Sequence, residues 1–239
     1  MSRGQLKRFR ESRENSLVKL LELFPYDEWD YYELAKNPNL TWEYIKSNNR
    51  ILRECKGVSE NPNITWEIVV ENPDYKWEYD MLSMNPNITW EIVQDNYDKD
   101  WSYLSMNPSI TWEIVKNNSD FDWDYTQLSK NPNITWEIVQ NNYDKNWSYY
   151  YLSMNPNITW EIVKECPDLY WNYWELFKHI DITLEDIEDM LDELPNYSGI
   201  TINPNITWEI IRDNPHVLWN DILLCRNPNI TLDIINDNP

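Results

Sequence analysis

An acidic side chain stands two residues after a threonine at Glu43, Glu67, Glu91, Glu113, Glu137, Glu161, Glu185, Glu209 and Asp233. Carboxylates in series suggest metal ligation or paired acid–base catalysis, and both need convergence. A calcium site gathers oxygens at roughly 2.3–2.6 Å from one ion, and a glycosidase pair needs a shaped pocket around its bond. Stacked helical repeats stand roughly 10 Å apart, too far to share an ion. A carboxylate set against the macrodipole in the first turn of a helix accounts for the column without either chemistry.

Other chemistry-bearing residues are sparse. The two histidines, His179 and His216, have no Ser or Cys in a recognisable catalytic context, and Gly4, Gly57 and Gly199 form no phosphate-binding loop. Cys55, Cys166 and Cys225 are too few and too scattered for a disulfide framework or a zinc site, which points to a reduced compartment. No catalytic, metal or cofactor residues are therefore expected, and the chain does not read as an enzyme.

Aromatic residues carry the strongest pattern. One tryptophan column includes Trp42, Trp66, Trp90, Trp112, Trp136, Trp160 and Trp208; a second includes Trp29, Trp77, Trp101, Trp123, Trp147, Trp171 and Trp219. Short helices bury little area and Trp supplies the most per residue, so both columns are expected in the core. The alternative is an aromatic groove for a peptide or glycan, with indole faces left open.

The elements that position these columns follow from self-similarity. The string NPNITWEIV begins, with small variations, at Asn37, Asn61, Asn85, Asn107, Asn131, Asn155, Asn203 and Asn227, at spacings of 24, 24, 22, 24, 24, 48 and 24. The gap of 48 holds a divergent copy, HIDITLEDI, from His179. A basic segment, 1–12, thus precedes a single repeat array, 13–239. Its units are 13–36 (divergent), 37–60, 61–84, 85–106 (short), 107–130, 131–154, 155–178, 179–202 (divergent), 203–226 and a half unit, 227–239.

Each unit reads as two short amphipathic helices. In 61–84, Asn61-Pro62-Asn63 forms a turn, Thr65 is the N-cap, and Ile64 faces Val69 as a hydrophobic staple. Asn72-Pro73 closes that helix, and Asp74 caps a second one carrying Trp77, Met81 and Leu82. The fold is expected to be all-α, a solenoid of about nine stacked helix-turn-helix repeats. The alternative is a β-containing solenoid of leucine-rich-repeat type, which suits both the period and the strand-forming Ile-Thr-Trp-Glu-Ile-Val. Against it stand the missing leucine ladder and residues 183–194, where Thr183 and Asp186 resemble a capping box and Ile187, Met190, Leu191 and Leu194 share a helical face.

The short unit loses two residues between Trp101 and Leu104. On a helix two residues are about 200° of rotation, so a shortened or 3₁₀ second helix is expected, with Trp101 and Leu104 unable both to keep the standard packing direction.

Composition limits the partners. Fifteen Trp, sixteen Tyr and only three Gly argue against disorder. Of the net charge of −21, residues 1–19 hold six basic residues against two acids, which leaves −25 on the remainder. An acidic array repels phosphate backbones, so no nucleic acid is expected along it. No apolar run reaches 18 residues and none of signal-peptide length follows Met1, so neither a membrane nor a secretory route is expected. The Asn-x-Thr sequons at Asn39, Asn63, Asn87, Asn133, Asn157, Asn205 and Asn229 are accordingly read as helix-start signals.

The units NPNITWEIV, NPDYKWEYDMLSM and NYDKNWSYYYLSM resemble the Asn-Pro-Asn-Ile-Thr-Trp tandem-repeat proteins of large amoeba-infecting DNA viruses of the mimivirus kind, over about residues 25–239. The resemblance implies a viral protein in host cytoplasm or virion, and no activity. The expected role is a non-catalytic scaffold or protein-binding solenoid. The alternative is a structural virion component that self-assembles through its array ends or faces, the C-terminal half unit among them.

Overall fold

The computed structural model describes residues 16–25, 28–179, 181–184, 186 and 198–237. The basic segment 1–12 and the residues Ile187, Met190, Leu191 and Leu194 lie outside them. Among the described residues the regular elements are all helices and there is no strand. The chain is an all-α solenoid, not a leucine-rich-repeat-like one. It packs as two compact units, Met1–Ile110 and Thr111–Pro239, both built from the same repeat.

In the first unit, repeat 61–84 shows the pattern. Asn61 is extended, with φ −64° and ψ 125°, as a residue before proline must be. The Ile64 N–H closes the turn onto the Asn61 carbonyl at 2.9 Å. Thr65 then caps helix Trp66–Glu71, its hydroxyl oxygen accepting from the Ile68 N–H. That cap overrides the strand preference of Trp, Ile and Val. Ile64 and Val69, the two staple residues, are both buried, and Leu82 of helix Tyr79–Leu82 joins them. In the second unit, repeat 131–154 does the same with helices Trp136–Asn141 and Tyr149–Leu152 and with Ile134, Val139 and Leu152 in the core.

The second helix is shorter than its sequence suggests. Asp74 does not cap it; it begins at Tyr79 after Glu78, and Trp77 lies ahead of it in the loop. The cause is a contact along the loop: the Trp77 indole N–H donates to the carbonyl of Asn72, the C-cap of the first helix, at 3.0 Å. This bond holds 72–77 against that helix end and delays the next helix. Caps do occur at the later position, where Asp124, Ser148 and Asn220 accept backbone N–H groups.

The short unit yields as its spacing requires, since its second helix is a 3₁₀ turn, Leu104–Met106. Trp101 and Leu104 nevertheless both stay buried, at 7% and 1% exposure, contrary to the rotation argument. Trp101 sits in the loop, bonded to the Asn96 carbonyl at 2.8 Å like its counterparts. The deletion therefore shortens the helix beyond it without turning it.

In the divergent repeat the Thr183–Asp186 capping box is present. The Thr183 N–H and hydroxyl donate to the Asp186 carboxylate, and the Asp186 N–H returns to the Thr183 hydroxyl.

Candidate functional site

The most conspicuous polar groups in this molecule are buried. Asn61, Asn85, Asn107, Asn131, Asn155 and Asn203 are fully enclosed, and Asn227 nearly so. A buried amide must find partners, and Asn61, Asn85, Asn107, Asn155, Asn203 and Asn227 find them one repeat back. In the first unit Asn85 Nδ2 donates to the carbonyls of Asn61 and Ile64 at 2.8 and 3.1 Å, and Asn107 Nδ2 to those of Ser83 and Asn85 at 2.7 and 2.8 Å. In the second unit Asn155 bonds Ser129, Asn131 and Ile134, and Asn227 bonds Thr201, Asn203 and Ile206. The amide oxygen is used as well, Asn155 Oδ1 accepting from the Asn157 N–H at 2.9 Å. The result is an asparagine ladder within each unit. His179, which replaces the first asparagine of its repeat, keeps one rung: its Nε2 lies 2.7 Å from the Ser153 carbonyl. Since a carbonyl only accepts, that nitrogen carries the proton.

A second buried rung comes from the residue two before Asn61, Asn85, Asn131, Asn155 and Asn203. Ser59 Oγ accepts from the Glu78 N–H, Ser83 Oγ from Tyr103, Ser129 Oγ from Ser148, Ser153 Oγ from Asn172 and Thr201 Oγ1 from Asn220. Each hydroxyl fixes the start of the second helical turn in the following repeat. Neither ladder was foreseen. Their only sequence signal is the return of Asn in every repeat from Asn37 onward but the one from His179, and of Ser or Thr two residues earlier in most repeats.

Tryptophan does the apolar packing between repeats. Trp66 meets Trp101 at 6.4 Å between ring centroids, Trp112 meets Trp147 at 6.1 Å and Trp136 meets Trp171 at 5.9 Å. Tyr79, Tyr125 and Tyr149 also approach Trp101, Trp147 and Trp171 edge-on. The second column is buried from Trp77 to Trp171, with Trp29 and Trp219 half-buried. In the first column Trp42, Trp90 and Trp160 are buried, whereas Trp66, Trp112, Trp136 and Trp208 are half-buried.

The described members of the acidic column are all exposed, on helix first turns. Glu67, Glu161 and Glu209 are held below the usual carboxylate range first by their own backbone N–H and then by the threonine hydroxyl before them; for Glu91 the Thr89 hydroxyl leads. These are helix-start carboxylates. Among the described residues no three His, Cys, Asp or Glu side chains gather as a metal site, the three cysteines are free, and no helix is long and apolar enough to cross a membrane.

What the surface offers is a groove of about 420 Å³ between the first helices of consecutive repeats, lined by Trp42, Glu43, Lys46, Asn63, Ile68 and Glu71. Lys46 pairs with Glu43 at 2.9 Å and lies 5.5 Å above the Trp42 ring. Compared with family models, curated proteins and solved structures, the chain matches none.

Proposed function

We propose that this protein is a non-catalytic repeat scaffold, a protein-binding solenoid of viral origin that works in host cytoplasm or in the virion. The observation that carries the reading is the direction of the recurring polar groups. Asn85, Asn107, Asn155 and Asn227, with Ser83 and Ser153 two residues before two of them, are engaged with the backbone of neighbouring repeats. The motif is thereby occupied with cohesion, and most repeats present an exposed acidic residue on the first helix, so that the exterior is an extended surface of the kind on which solenoids bind proteins. The acidic charge favours a protein partner with basic groups over nucleic acid or an anionic membrane. Viral origin rests on the repeat motif's resemblance alone.

A second reading, a structural virion component that self-assembles, is favoured by apolar side chains open to solvent in the last repeats, among them Leu218, Ile222 and Ile235. Two measurements separate the readings. Purified protein used as bait in extract of infected amoebae captures a stoichiometric protein partner under the first reading. Under the second, its mass in solution rises with concentration without any partner. A monomer that captures nothing would remove both.

A further inference from the structure

Four of the asparagines that begin the Asn-x-Thr sequons, Asn63, Asn87, Asn157 and Asn229, are structural donors with no hydrogen to spare. Asn63 Nδ2 donates to the carbonyls of Pro38 and Leu40 in the preceding repeat at 2.7 and 3.0 Å. Asn87 does so to Pro62 and Ile64 at 2.7 and 3.0 Å, Asn157 to Pro132 and Ile134 at 2.7 and 3.0 Å, and Asn229 to Pro204 and Ile206 at 2.6 and 3.0 Å. An amide nitrogen has two hydrogens, and both are placed on backbone oxygens of another repeat.

The rest of the sequon is occupied too. Thr65 and Thr159 accept the N–H of the third residue of their helices, Ile68 and Ile162. Where one repeat has serine in place of the sequon asparagine, Ser109 Oγ still donates to the Ile88 carbonyl at 2.7 Å. What recurs is the donor, and the sequon is its by-product.

We infer that N-glycosylation of these four asparagines and folding of the array exclude one another, so a chain folds only if those four positions escape oligosaccharide transfer. Transfer from a lipid-pyrophosphate-linked oligosaccharide forms a bond from Nδ2 to the anomeric sugar carbon. It breaks one Nδ2–H bond and the carbon–oxygen bond to the pyrophosphate, which leaves as the proton is lost. The sugar would stand where a carbonyl of the neighbouring repeat lies at hydrogen-bond distance. One rung is lost and the repeats are wedged apart. The inference holds whatever the partner.

The chain carries its own control. Asn117 and Asn146 begin Asn-x-Ser sequons, and both are exposed.

The test is to pass the full chain, with a cleavable secretory leader, through mammalian cells. The fraction with the near-ultraviolet dichroism and melting curve of bacterially made protein is then isolated and its sugars mapped by mass spectrometry. Folded chains are expected to carry sugar at Asn117 and Asn146 and none at Asn63, Asn87, Asn157 or Asn229, where sugar is confined to chains without the folded signature. Folded chains bearing sugar at any of those four overturn the inference. A second measurement needs no sugar: bacterially made Asn63→Asp keeps the size and removes the donor, and its Tm is expected to fall by about 5 °C. An unchanged Tm overturns it equally.

Discussion

The side-chain amide of Asn85 donates at 2.8 Å to the backbone carbonyl of Asn61, its own counterpart one repeat earlier. Each such residue is at once donor through its side chain and acceptor through its backbone, so the contact propagates from repeat to repeat within a unit. A buried amide left unbonded is costly, and this makes the contact specific: a slip in register strands several buried polar groups together.

The two tryptophan columns separate by burial. Trp171 is 7% exposed and packs against both Trp136 and Tyr149, whereas Trp136 is itself half-buried. Trp171→Ala is expected to cost about 3–5 kcal/mol and Trp136→Ala less, while Thr135→Ala, which removes a helix cap, costs about 1 kcal/mol. Denaturant unfolding of the three variants checks the order. If Trp136→Ala left stability intact and abolished partner capture, the half-buried indoles would be a binding groove.

Gly57 marks a close approach of helices. A Cβ there would lie 2.6 Å from the Tyr32 carbonyl oxygen and 2.9 Å from the Ala35 Cβ. Helix Cys55–Glu60 thus rests on helix Tyr31–Lys36 with no room for a methyl group. Gly57→Ala should destabilise by about 1–3 kcal/mol despite its better helix propensity, measurable as a lowered denaturation midpoint. A stabilised variant would show that the helices separate freely.

The short repeat gives a constructive test. Inserting Tyr-Tyr after Tyr103 restores the 24-residue period and is expected to replace the 3₁₀ turn Leu104–Met106 with a four-residue helix like Tyr149–Leu152. Amide exchange in that segment should slow and stability should rise. Lost partner capture alongside the gain would identify the irregular repeat as part of the binding surface.

Acid should loosen the helix starts. The carboxyls of Glu67, Glu91, Glu161 and Glu209 are held below their ordinary value of 4.5. A group whose folded value is depressed contributes stability above its unfolded value and loses it as the pH falls through the folded one. Tm should therefore hold down to about pH 5 and decline below about 4.5. A fourfold Glu→Gln variant should show a shallower decline. An equal slope would mean that other carboxylates govern acid unfolding.

Local signals were legible and cross-repeat ones were not. Thr65 and Pro62 announce the first helix because cap and turn are settled within a few residues. The start of the second helix was misplaced because Asp74 is a good cap in isolation, whereas the position is set by the Trp77 indole bond to Asn72 and by Ser59 receiving the Glu78 N–H from the repeat before. The short repeat was legible in its 3₁₀ turn and not in its burial, since the rotation argument placed Trp101 on a helix it precedes. The asparagine ladder was hidden because Asn-Pro-Asn reads equally well as a turn. Only the position of the preceding repeat's carbonyls reveals that its amides are buried.

The central claim is that the repeated motif serves cohesion between repeats. The most direct measurement is the unfolding free energy of Asn155→Ala, which removes donors to Ser129, Asn131 and Ile134 and the acceptor for the Asn157 N–H at a fully buried position. The predicted result is a loss of about 3 kcal/mol or more, well above that of Thr135→Ala, because the Ser129 carbonyl and the Asn157 N–H lose their partner, the Asn131 and Ile134 carbonyls keep only the Ile134 N–H and the Asn157 amide, and a cavity opens at a buried position. A variant as stable as the unmodified protein would contradict the account.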